Sequence, residues 1–165
     1  MSVAPTSTRE PGGERVAVTD YVTVFVDGQL FGLPIASVQD VFMRGQMTPV
    51  PGAPPEILGL INLRGRVLTA LSLRRLLGLA DPLAQGAMVV GVEHGGESFG
   101  LLVDRVGEVL SLPVSDRRAN PGNLDPAWAR FARGIYWLPE GLLVVLDIDA
   151  ALGLGGAPAE PDGAI

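Results

Sequence analysis

The chain has 165 residues, no cysteine and no lysine, and a formal net charge of −6, with 18 acidic residues set against 12 arginines. Disulfides, thiolate nucleophiles, lysine-dependent phosphate loops and Schiff bases are thereby excluded, and scattered arginines on an acidic chain argue against a nucleic-acid binder, which needs a concentrated basic face. Hydrophobic residues make up 47% of the chain, yet no apolar run approaches the roughly 18 residues of a membrane span, and Arg64 interrupts the best candidate.

Residues 1–17 mix Pro, Ser, Thr and Gly with the charge pairs Arg9-Glu10 and Glu14-Arg15 and lack the apolar stretch of a signal peptide, so they read as a disordered arm of a cytoplasmic chain. Tyr21-Val22-Thr23-Val24-Phe25-Val26 is β-branched and aromatic, Asp27-Gly28 turns the chain, and Leu30 to Ile35 returns, which is a hairpin pattern. Pro51, Pro54 and Pro55 fix φ and remove donors, so the next segment cannot be a central strand. Strands at about 59–63 and 66–71 follow across a glycine turn, and Ser72 caps a short helix. A second hairpin runs from Met88 through His94-Gly95-Gly96 to Val103. Asp125-Pro126-Ala127-Trp128 opens a helix, with Asp125 as N-cap, that is predicted to run to about Ala132 and stop at Gly134. Strands at about 134–138 and 142–147, and another short helix, complete the ordered part. Residues 155–165 have nothing to bury and read as a disordered tail.

These elements come twice. Phe31-Gly32-Leu33 with Val38 and Val41 returns 68 residues later as Phe99-Gly100-Leu101 with Val106 and Val109. Gly59-Leu60-Ile61-Asn62-Leu63 returns 75 residues later as Gly134-Ile135-Tyr136-Trp137-Leu138. So long a period predicts one domain over 18–154, with one barrel repeat at about 18–79 and the other at about 87–154, and it directs attention to the seam between them. Five short strands per half, Gly and Pro punctuation and little helix predict an all-β fold of small closed barrels.

The chemistry-bearing residues do not form a catalytic constellation. His94 is the sole histidine and sits in a glycine-rich turn, where it reads as exposed rather than as a metal ligand. Asp147 and Asp149 are two apart, but Ser72 stands opposite Asp147 in the repeat, so helix capping explains the pair better than acid/base catalysis. Asp104-Arg105 reads as a solvated charge pair. No enzyme activity, metal or cofactor is expected. What stands out is Asn62-Leu63-Arg64-Gly65, where the repeat has Trp137-Leu138-Pro139-Glu140 instead; a tight turn after an apolar strand projects Arg64 from a rigid support.

That segment, followed by Leu73-Arg74-Arg75-Leu76-Leu77-Gly78, resembles the Asn-Leu-Arg-Gly signature of the CheW family of chemotaxis coupling proteins. Gly100-Leu101-Leu102-Val103-Asp104-Arg105-Val106-Gly107-Glu108-Val109-Leu110 is similar to a second signature of that family, and Val38-Gln39-Asp40-Val41 to another, so the likeness covers about residues 18 to 154. The resemblance implies two intertwined five-stranded SH3-like β-barrels with short helices and a groove between them. It also implies a non-catalytic adaptor that couples the cytoplasmic tip of chemoreceptors to the regulatory domain of a CheA-type histidine kinase. By similarity the receptor surface comprises Val38, Asp40, Gly59, Arg64, Val89 and Val106, with the repeat partners Val38 and Val106 on two walls of one groove; no residue marks the kinase surface. The protein is then expected to be a monomer in isolation, recruited to receptor arrays at the inner membrane without inserting into it. Departures are Ser72, where the family usually has an acidic residue, and Asp40, where Glu is commoner. A detached kinase regulatory domain of the same fold and a small-molecule-binding β-barrel stay open as alternatives.

Overall fold

The computed structural model describes residues 17–80 and 88–155. Apart from Ala17 and Gly155, the expected arm at 1–17 and tail at 155–165 lie outside the described residues. Strands β1 (Val18–Val26) and β2 (Gln29–Pro34) form the first hairpin, turning at Asp27 and Gly28 with φ of 53° and 80°. Two consecutive positive φ values match the right-handed twist of the flanking strands. A single 3-10 turn, Ile35–Ser37, leads to β3 (Val38–Met43). After the proline segment come β4 (Ile57–Leu63), β5 (Arg66–Ser72) and helix α1 (Leu73–Leu76). The second half repeats the order with β6 (Met88–His94), β7 (Glu97–Val103), β8 (Arg105–Pro113), α2 (Pro126–Ala129), β9 (Ala132–Leu138), β10 (Gly141–Leu146) and α3 (Ile148–Gly155).

Both predicted caps are in place: Ser72 Oγ accepts from the Arg75 amide at 3.2 Å and Asp147 Oδ1 from the Ala150 amide at 3.1 Å. Asp125 caps α2 by accepting from the Ala127 amide, but this helix ends at Ala129, short of the predicted Ala132. Tertiary pairing overrides local propensity here, since Ala132 is already paired with Leu146 and the Asp147 amide donates to the Phe131 carbonyl at 2.7 Å.

The ten strands form two sheets, ordered β8-β1-β2-β10-β9 and β3-β6-β7-β5-β4. Each curls around its own core to which all five of its strands contribute. One holds Tyr21, Tyr136, Leu143 and Val145 with Leu30 and Leu110, and the other Ile61, Ala70, Val89 and Leu102 with Phe42 and Leu58. In the first, the Tyr21 and Tyr136 hydroxyls meet at 3.3 Å, and burial, then this hydrogen bond, pushes the Tyr136 hydroxyl well above its ordinary pKa. A larger cluster joins the two barrels, with Val24 and Phe31 from one, Val92 and Phe99 from the other, and Leu73, Leu76 and Leu152 from the helices.

The sheet orders are images of each other under the repeat: replacing each strand of one half by its counterpart in the other converts the first order into the second. The repeat units at 18–79 and 87–154 are nevertheless not the barrels. One barrel (the inner barrel) is continuous from β3 to β7, residues 38–103; the other (the outer barrel) joins the β1-β2 hairpin to β8, β9 and β10. Each barrel thus takes a hairpin from one repeat and three strands from the other. A unit of about 65 residues buries too little surface to be secure alone, and exchange makes each half complete the other's sheet.

The chain crosses between barrels twice, at Ile35–Ser37 and at Asp104. Asp104 is not the solvated neighbour of Arg105 that the sequence suggested. The Arg74 guanidinium forks onto both of its oxygens at 2.9 and 2.8 Å, and the Asp27 amide donates to it at 2.7 Å. The Arg74 hydrogen bonds hold the Asp104 carboxyl below the usual carboxylate range. Arg105 instead lies 3.9 Å over the Phe25 ring. His94 also departs from its reading as a solvated turn residue, since its Nδ1 lies 3.1 Å from Asp149 Oδ1 on α3.

Candidate functional site

The six residues assigned by resemblance divide into three groups. Arg64 and Gly65, at φ of 54° and 85°, are the two central residues of the β4-β5 turn, and the Asn62 side-chain oxygen accepts from the Gly65 amide at 3.0 Å. A non-glycine residue held at positive φ by a hydrogen-bonded turn projects its side chain from a fixed base, and Arg64 is exposed. Beside it Arg66, which sequence reading passed over, reaches Asp40 at 3.6 Å across the open end of the inner barrel. Asp40 and Arg66 therefore form an ion pair, and Arg66 opens the strand that follows the Arg64 turn. The Asp40–Arg66 pair joins strands far apart in sequence, so no local spacing signals it.

Val38 and Val106 form the second group, and they are structural twins. Val38 pairs with Val92 and Val106 with Val24, each just ahead of a bulge in its ladder and each within two residues of one of the two crossings. They sit on different barrels, as walls of a seam should. The seam, however, is filled: both valines are half-buried against the joint core, so only part of each is available to a partner.

Gly59 and Val89 form the third group, and for them the assignment as surface contacts is corrected. Val89 is 0% exposed, inside the inner barrel core. A Cβ on its neighbour Gly100 would lie 2.7 Å from Val89 Cγ1, which explains that glycine as well. Gly59 is buried at φ 156°, and a Cβ there would come to Thr48 O and Met47 Cγ at 2.4 and 2.9 Å. Thr48 and Leu60 exchange backbone hydrogen bonds of 2.9 and 2.8 Å over this spot. The twin glycine Gly134, at φ 151°, does the same beneath Arg118, whose backbone exchanges bonds with Ile135. Gly59 is thus a close-approach glycine that seals a loop against the barrel.

Around these residues the surface carries apolar side chains on the edge strands. Val41 and its twin Val109 are both exposed, as is Met43. Among the described residues no three potential metal ligands cluster, and no helix is long and apolar enough to cross a membrane. The arrangement is a rigid double barrel offering a charged end and apolar edges, chemistry suited to holding protein segments.

Comparison with known proteins gives a consistent picture. The family model described as the CheW-like domain matches residues 20–154, both barrels together. The chemotaxis protein CheW of Rhizobium meliloti (strain 1021) is 30% identical over 127 residues, covering 76% of this chain and 81% of that protein. The chemotaxis protein CheW of Klebsiella aerogenes is 26% identical over 141 residues, covering 85% and 84%. Among solved structures, the scaffolding protein TtCheW from Thermoanaerobacter tengcongensis superposes with a TM-score of 0.71 at 25% identity, covering 78% of this chain and 88% of that one.

Proposed function

The chain belongs to the CheW-like domain family, and from that premise we propose that it is a chemotaxis coupling protein, a non-catalytic scaffold joining chemoreceptors to a CheA-type histidine kinase. The observation that carries this reading is the family match across residues 20–154, which takes in both barrels and the joint core. A scaffold needs two partner surfaces in fixed relation, and a double barrel welded by one apolar cluster supplies that relation without a catalytic centre.

We further propose that the receptor surface centres on Arg64 and Asp40, with the exposed parts of Val38 and Val106 as its apolar floor. A helical hairpin is the partner this geometry suits: valines take a row of helix side chains, and the guanidinium of Arg64 forks onto a carboxylate or onto carbonyls at the hairpin turn. The protein works in the cytoplasm, is monomeric alone and joins receptor arrays through these contacts. The test is reconstitution with a receptor cytoplasmic fragment and a histidine kinase. A ternary complex with altered kinase activity is expected, and failure to form one with any cognate pair would overturn the proposal.

A further inference from the structure

The two barrels are twins, yet their corresponding ends differ. At one end of the outer barrel lies an open cavity of about 540 Å³, with walls from Phe25, Leu30, Leu110 and Leu142 and a rim that includes Glu108 and Glu140. Under the repeat, Glu108 corresponds to Asp40 and Gly141 to Arg66. In the inner barrel the carboxylate at this position is therefore met by an arginine from the same chain, Arg66 on Asp40. In the outer barrel the arginine is replaced by a glycine at φ 136° with nothing within 4 Å of where its Cβ would stand. Leu110 likewise replaces the larger Phe42, whereas Gly107, in place of Gln39, lets Thr23 Oγ1 and Phe25 Cε1 come within 2.7 and 3.0 Å of where its Cβ would stand. The cavity opens beside the position that Arg66 holds in the twin, and it keeps the acidic rim. Neither the Glu108 nor the Glu140 carboxylate has a hydrogen-bond or ion-pair partner among the described residues.

We propose that this end of the outer barrel receives an arginine side chain presented by a turn of a partner protein, in the place that Arg66 takes in the inner barrel. The guanidinium lies between Glu108 and Glu140, and its aliphatic stem lies along Leu30, Leu110 and Leu142. Arg105 is the one cation in the lining; its guanidinium is engaged on the Phe25 ring, and two carboxylates against it leave the site net negative. A protein rather than a free small molecule is indicated by Trp137, 68% exposed on the strand next to the rim and paired across from Leu142, where the twin has Asn62. A large exposed aromatic beside a polar pocket is an anchor for a macromolecular surface.

The test is titration of the isotope-labelled full chain with N-acetyl-arginine methylamide, followed by backbone amide NMR, with the citrulline and glutamate analogues in parallel. Saturable shifts at Gly107, Gly141 and Leu142 with arginine alone, weakened at least tenfold in Glu108→Gln/Glu140→Gln, are expected. Equal shifts with citrulline, shifts with glutamate instead, or shifts indifferent to the double substitution would overturn the proposal. Both glutamates are exposed, so the double variant is expected to fold, and its melt checks this. As a second arm, Gly141→Arg, strained at φ 136° and therefore checked by its melt, is expected to fill its own cavity and abolish the arginine shifts.

Discussion

Replacing Gly59 by alanine distinguishes a glycine that touches a partner from one that the fold requires. The added methyl would stand 2.4 Å from the Thr48 carbonyl oxygen and 2.9 Å from Met47 Cγ, on a backbone at φ 156°. The loop must move away, and with it goes the 2.8 Å bond from the Leu60 amide to Thr48. Overpacking and an unfavourable φ cost about 1 to 3 kcal/mol each, and a lost backbone hydrogen bond about 1 kcal/mol. These overlap, since moving the loop relieves the clash, so the net is about 3 kcal/mol, or roughly 10 °C in Tm for a domain of this size. The twin Gly134→Ala, whose Cβ meets Arg118 O at 2.9 Å, should lower Tm by less. The assays are thermal melts by circular dichroism and co-sedimentation with receptor fragments well below both melting points. Both variants should melt early and still bind. A Gly59→Ala protein that melts within about 2 °C of the parent but no longer binds receptor would refute the packing argument and restore Gly59 as a contact.

Arg64→Ala keeps the same turn conformation and removes only an exposed side chain, so Tm should stay within about 2 °C while receptor affinity falls by about 2 to 5 kcal/mol, measured by calorimetric titration. Val89→Asp places a charge in the inner barrel core and should prevent folding, visible as loss of the cooperative melt. Asp104→Asn weakens the grip of Arg74 and should cost about 1 kcal/mol at neutral pH, the value discounted for partial exposure. Because the folded-state pKa of Asp104 is depressed, this stabilisation is present above the unfolded carboxylate pKa and lost as pH falls through the folded value. Melting curves of parent and Asp104→Asn should therefore converge in acid, and a gap that persists at the lowest pH would contradict the pairing.

Local signals were readable from sequence where a residue type has one physical use. Asp27-Gly28 and Gly95-Gly96 gave their hairpins because two consecutive positive φ values favour these residues. Ser72 and Asp147 gave helix starts because an exposed amide needs an acceptor. The repeat gave the number of strands per half but not the exchange between halves, because alternation along β1 is the same whichever sheet it joins. Gly59 is assigned to the receptor surface by resemblance alone, and its packing role is not legible in the sequence because a close approach from Thr48 leaves no trace in the neighbouring residues. Asp104 and Arg66 escaped for a related reason: their partners, Arg74 and Asp40, lie 30 and 26 residues away in the chain.

The continuous run of the inner barrel, from β3 to β7, has a consequence for synthesis. On the ribosome all five of its strands have been made before residue 105 is added, so it can close once they clear the exit tunnel, while the rest of the chain is still being made. The β1-β2 hairpin, made first, has no sheet to join until β8 and β10 follow, and its two unpaired edges stay open to the wrong partner in the interval. A released chain ending at Val103 should therefore hold a folded centre and a stranded first hairpin, and loss of β10 should cost the outer barrel while leaving the inner one standing.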